Sequence, residues 1–136
     1  HGARLLHFST DCVFSGVRGA YCESDLPDNP DWHGRCKALG EPAGAHVLVL
    51  RTSFIGLALG CRRSLLNWFL NHEGRVVGYC RARWSGLSAH EVARVVGQLT
   101  ESNEPLSGTW HVAGGGSASS NYSHSSLVPC QSVAWW

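Results

Sequence analysis

Residues 4–8, RLLHF, form a short apolar run that stops at Ser9-Thr10-Asp11, and residues 46–51, HVLVLR, form a second that stops at Thr52-Ser53. Continuous apolar runs of this length, bounded by polar residues, predict buried strands followed by loops. Residues 15–31 place Gly and Pro breakers near both ends and hold four acidic residues. They predict a long loop of the kind that often carries function. Residues 33–43 predict a helix, with Asp31 as N-cap and Gly44 just past the end. Residues 62–72, RRSLLNWFLNH, are apolar at 65, 66, 68, 69 and 70 and predict a mostly buried helix. RVVGY at 75–79 predicts a short strand. In 88–100, Val92, Val95, Val96 and Leu99 recur at helical spacing behind a Ser88/Glu91 capping box. TWHV at 109–112 predicts a last strand. From Gly114 the chain turns Gly/Ser-rich, like a linker or frayed tail, and LVPCQSVAWW has no clear period. Strands alternate with helices, and the first two strands are apolar throughout. That pattern predicts an α/β fold whose parallel sheet is covered on both faces.

Composition narrows the class. The 136 residues suit one domain. A hydrophobic fraction of 43% with 15% charged residues supports a core and argues against disorder. The net charge of +1 removes the main argument for nucleic acid or an acidic membrane as partner. No apolar run approaches the roughly 18 residues of a membrane span, and HGARLLHFSTD lacks the apolar segment of a secretory signal. Methionine is absent, even at position 1, which points to a fragment, a processed chain or a trimmed product.

Cysteines 12, 22, 36, 61, 80 and 130 include no CxxC pair and no zinc-finger spacing. They read as scattered free thiols that pack as small hydrophobes. His7 and His111 flank strand-like runs and read as structural, so no metal site is expected.

In open parallel sheets, ligands bind outside the carboxyl ends of the strands. Here two strand ends carry small polar residues, Ser9-Thr10-Asp11 and Thr52-Ser53. Between them HGRCK puts His33 and the single lysine, Lys37, at i and i+4 on one helical face. A strand-end hydroxyl beside an ionisable pair suits proton transfer to a carbonyl or alcohol oxygen.

STDCVFSG, then Tyr21, Glu23 and Asp25, then HGRCKALGE and LRTSFIG resemble the extended short-chain dehydrogenase/reductases. The likeness is greatest to the dTDP-4-dehydrorhamnose reductase group of sugar-nucleotide reductases. It runs nearly in register from Arg4 to Gly56, and SGLSAHEVARVV and GTWHVAG are compatible with the rest. The resemblance implies a Rossmann-like parallel sheet with flanking helices, present here without its N-terminal Gly-rich half. Residues 1–113 would be the catalytic and substrate-binding part, and 114–136 a poorly matching tail.

The resemblance further implies a cytoplasmic NADP- or NAD-dependent reductase of a 4-keto sugar nucleotide. Thr10 would bind the substrate carbonyl, with Asp11 and Cys12 beside it. Lys37 would hold the nicotinamide ribose, with Ser9, Arg51, Thr52 and Ser53 lining the cofactor. Arg51-Thr52-Ser53 are equally readable as a structural strand end. Arg62 and Arg63 would face a substrate diphosphate or form a solvated basic end.

His33 stands where the family has its catalytic Tyr, and Cys36 where Ser is usual. Only a protonated imidazole is a competent donor, so the replacement weakens acid catalysis at neutral pH. No GxxGxxG turn precedes Arg4, so tight dinucleotide binding by the chain alone is not expected. A sheet lacking its first strands would expose an apolar edge and favour self-association. Two alternatives are a non-catalytic sugar-nucleotide-binding or assembly domain of the same fold, and a truncated frame without function.

Overall fold

The computed structural model describes residues 2–58, 60, 64–78 and 84–114. In chain order the elements are β1 (Leu5–Ser9), a 3₁₀ turn (Asp11–Val13), α1 (Trp32–Leu39), β2 (Val47–Thr52), β3 (Phe54–Ile55), α2 (Leu65–Leu70), β4 (Leu87–Ser88), α3 (Ala89–Glu101) and β5 (Gly108–Val112). β1, β2 and β5 form a parallel sheet in the order β1-β2-β5, and β3 pairs with β4 in a small parallel ladder. A parallel sheet with flanking helices is a partial Rossmann-like α/β fold.

β2 is the middle strand, and every residue of it is buried. Its side chains alternate between two faces. Leu48 and Leu50 pack with Val92, Val95 and Leu99 of α3, Leu87 and Val112. Arg51, on the opposite face, lies over the Phe14 ring of a second cluster, Val13, Phe14 and Tyr21. α3 buries the apolar stripe read from the sequence, and the Ser88 hydroxyl caps it by accepting from the Glu91 N–H at 3.1 Å.

Five expectations need correction. β1 is not covered on both faces: Leu5 is 46% and Phe8 41% exposed, because β1 is an edge strand of the described sheet. α1 ends at Leu39 with Gly40 as its cap rather than running to 43. Pro42 forces the stop, since the residue before a proline is pushed out of the helical region. α2 buries none of its residues; Leu65 is 64% exposed. Five apolar positions in six consecutive residues leave no polar stripe, so the pattern could not say which face meets the core. Residues 75–78 are irregular rather than a strand, and Val77 lies in the open without a partner strand among the described residues. Tyr79 and the Gly/Ser-rich 115–136 lie outside the described residues, as do Arg62 and Arg63. Cys12 and Cys36 are free thiols as read, whereas Cys22 is disulfide-bonded. The two-residue strands β3 and β4 were too short to leave a period in the sequence.

One close approach docks α1 onto the end of β1. Gly34 is the only buried residue of that helix. A Cβ built there would lie 2.3 Å from the Cys12 carbonyl oxygen and 2.8 Å from Asn29 Cβ. The carbonyl belongs to backbone and cannot swing aside. Gly34→Ala is therefore expected to push α1 off the 3₁₀ turn and destabilise the chain by about 1–3 kcal/mol, the usual cost of overpacking. Urea unfolding checks it; an unchanged midpoint would contradict the contact.

Candidate functional site

The register of the sheet sets Ser9, Arg51 and His111 side by side near the carboxyl ends of the three strands. Beyond Ser9 the chain tightens into the 3₁₀ turn. Thr10 caps that turn: its Oγ1 accepts from the Cys12 N–H at 3.1 Å and donates to Asp11 Oδ1 at 3.1 Å. Asp11 is 5% exposed, and burial raises its carboxyl to about 6, against the pull of the Thr10 and backbone hydrogen bonds.

The turn is braced from the long loop. Asp28 N and Asn29 N donate to the Val13 carbonyl at 3.2 and 3.1 Å, and Asn29 Nδ2 donates to the Cys12 carbonyl at 2.7 Å. With Gly34 seated on this turn, Lys37 comes to lie one turn further along α1. Its Nζ donates to the Phe8 carbonyl at 3.1 Å. Lys37 is thus anchored on β1 two residues before Thr10. His33 lies on α1 one turn before Lys37 and is exposed. Cys12 is half-buried and Cys36 exposed.

Glu41 was missed as a site residue, although it closes the HGRCKALGE motif. It accepts from Arg51 Nε at 2.9 Å and Arg51 Nη2 at 2.8 Å, and from Ser9 Oγ at 2.6 Å. Burial pushes the Glu41 carboxyl up, but the hydrogen bonds from Arg51 and Ser9 and the Arg51 charge outweigh it and hold the group below the ordinary value. The pair ties the ends of β1 and β2 to the chain leaving α1.

Four residues expected at the cofactor have engaged side chains. Ser9 and Arg51 bind Glu41, and Thr52 Oγ1 donates to the Val112 carbonyl at 2.7 Å. Ser53 Oγ accepts from Trp84 Nε1 at 2.9 Å. Beside Ser53 opens a cavity of about 510 Å³ walled by Phe54, Leu57, Ser64, Leu65 and Trp84.

The loop from Phe14 to Asp31 folds back over the strand ends. Tyr21 stacks on Phe14 with centroids 4.4 Å apart, and its hydroxyl donates to Asp28 Oδ2 at 3.0 Å. Asp28 is held below the ordinary value by the Ser15 backbone N–H and by the Ser15 and Tyr21 hydroxyls. Asp25 pairs with Arg18 and accepts from the Cys22 N–H. Glu23 Oε1 accepts from the His111 backbone N–H at 3.0 Å, which fastens the loop to β5. The buried His111 ring meets the Phe14 edge at 5.5 Å. Burial pushes its imidazole below the ordinary value; the Glu23 charge opposes this and the Arg51 charge adds to it. Both ring nitrogens are buried without a hydrogen-bond partner among the described residues. Among the described residues no cluster of His, Cys, Asp or Glu could hold a metal ion, and no helix is long and apolar enough to cross a membrane.

A parallel sheet with flanking helices, and polar residues gathered near its carboxyl edge, define a partial Rossmann-like fold. The chain belongs to the RmlD substrate-binding-domain family, whose model matches residues 1–129. The match covers every stretch that carried the resemblance and runs on past Gly114. This is a family of sugar-nucleotide reductases, NAD(P)H-dependent in general. No curated protein and no solved structure matches the chain.

Removing the Glu41 charge tests the clamp. Glu41→Gln leaves the buried Arg51 charge uncompensated and is expected to cost about 3–5 kcal/mol at neutral pH. The ordinary value of Glu41 is 4.5 and the folded value lies lower. Its contribution is therefore present above the unfolded value and is lost as pH falls through the folded one. Urea unfolding of both forms should show the gap closing below about pH 4.5; a gap independent of pH would contradict the charge argument.

Proposed function

We propose that this chain is the substrate-facing part of an NAD(P)H-dependent reductase of a 4-keto sugar nucleotide. The single observation that carries the reading is that Lys37 is anchored on the Phe8 carbonyl near the carboxyl end of β1, where Thr10 caps the next turn, within the stretch that matches the family. In this reading Thr10 binds the 4-keto oxygen, with Asp11 and Cys12 shaping the turn beneath it. Lys37 reaches the nicotinamide ribose from a position already braced on the Phe8 carbonyl. Ser9, Arg51 and Thr52 act through the shape they give the strand ends. The cavity beside Ser53 offers an apolar wall to the bulk of the ligand, within the 300–1,000 Å³ usual for such sites. Residues 1–113 are the working part.

The cofactor fits this site at one end. A lysine ammonium at a strand end suits a ribose hydroxyl, while the described residues hold no glycine-rich strand-to-helix turn for a pyrophosphate. The nicotinamide, when bound, supplies the hydride. The chain's own residues orient the carbonyl and handle the proton. A second reading is favoured by one observation, the exposed imidazole of His33 where the family has a phenol. It makes the chain a sugar-nucleotide-binding domain without turnover.

Two measurements separate these readings. Calorimetric titration with dTDP-4-dehydrorhamnose should show binding that Thr10→Val weakens by about tenfold, the value of one hydrogen bond of about 1–1.5 kcal/mol. Equal affinity for both forms would remove Thr10 from the site. In a protein where an upstream Gly-rich half is joined to this chain, with NADPH supplied, His33→Tyr should raise turnover by roughly the 10²–10⁴-fold of a positioned acid. An unchanged rate with substrate bound would favour the binding domain.

A further inference from the structure

Thr10 has one proton to give and two lone pairs to offer. One lone pair receives the Cys12 N–H at 3.1 Å, and the other partner, Asp11 Oδ1, lies 3.1 Å away. The direction of that second hydrogen bond depends on which oxygen holds a proton. An ionised Asp11 can only accept, so the Thr10 proton is committed to it. The hydroxyl then has a single lone pair left for a ligand. An Asp11 protonated on Oδ1 donates to Thr10 Oγ1, fills the second lone pair, and leaves the Thr10 O–H free for a ligand. A ketone oxygen can only accept, so it binds the second arrangement alone. An alcohol can donate or accept and binds either.

We propose that Asp11 is a positioning residue that sets the direction of the Thr10 hydroxyl and thereby selects between keto and hydroxy ligands. The inference rests on Thr10 as the ligand-binding hydroxyl of the proposed reductase.

The surroundings make the selection available near neutrality. Burial lifts Asp11 to about 6. α1, which packs on this turn, carries His33, Arg35, Cys36 and Lys37. The loop beyond it brings Tyr21 and Asp28, and Cys12 is the next residue. The causes of the Asp11 shift are burial and the hydrogen bonds of Thr10 and the local backbone, with no charge from these neighbours among them. The keto-binding arrangement is therefore mostly populated at pH 5 and mostly lost by pH 7. Apparent affinity scales with the competent fraction, so a ketone should weaken by roughly tenfold over that range. A hydroxy ligand should not.

The test is the affinity ratio of dTDP-4-dehydrorhamnose to dTDP-rhamnose, measured by calorimetry at pH 5 and pH 7. The ratio is expected to fall roughly tenfold in the native chain and in His33→Asn, and to stay constant in Asp11→Asn. The same ratio at both pH values in the native chain, with binding retained, would overturn the role of Asp11 and leave the proposed function standing. Binding of neither compound at either pH would overturn both. Carboxyl carbon NMR of the native chain gives a second measurement that needs no variant to fold. By linkage, the keto compound should raise the Asp11 midpoint and the hydroxy compound leave it in place; equal midpoints would overturn the proposal.

Discussion

The bidentate pair between Glu41 and Arg51 is the constraint on which the site depends. Arg51 is buried and Glu41 largely so, and a buried charge is costly unless it is paired and hydrogen-bonded. The pair therefore fixes three segments at once: the end of β1 through Ser9, the exit of α1 through Glu41, and the carboxyl end of β2 through Arg51. Pro42 ends the helix just where Glu41 must turn inward. The Arg51 guanidinium then covers the Phe14 ring at 5.1 Å, which carries the constraint into the loop cluster of Phe14 and Tyr21.

Gly34 is the second half of the same device. A helix can approach a carbonyl this closely only where no Cβ intervenes. The two devices divide the work: the ion pair sets where α1 leaves the sheet edge, and the glycine sets how near it passes to the turn. Thr10, held by the Cys12 N–H and Asp11, is then presented on a turn that Asn29 braces from the far side.

The central strand, the α3 stripe and the position of HGRCK were legible because each rests on local rules: a continuous apolar run, helical spacing behind a cap, and i, i+4 geometry. What escaped was non-local. The exposure of Leu5 and Phe8 depends on β1 being an edge strand, which its own composition cannot show. The open position of α2 depends on what packs over it, and its apolar residues circle the helix without choosing a side. Glu41 and Arg51 are ten residues apart, at the end of one motif and inside the next, and only the folded sheet makes them partners. Ser9, Arg51 and Thr52 read as ligand-facing because polar residues at strand ends often are, whereas here they bond to the protein itself. The glycine and glutamate inside HGRCKALGE were visible all along; their reasons were not, because a close backbone approach and a buried pair are properties of distance.

A carbonyl-binding hydroxyl at the end of β1 is tested most directly by a crystal structure of the chain with dTDP-4-dehydrorhamnose at pH 5. The expected result places the sugar 4-keto oxygen within about 3 Å of Thr10 Oγ1, with the Glu41–Arg51 pair intact beneath. A sugar nucleotide bound elsewhere on the chain, with Thr10 facing solvent, would contradict it.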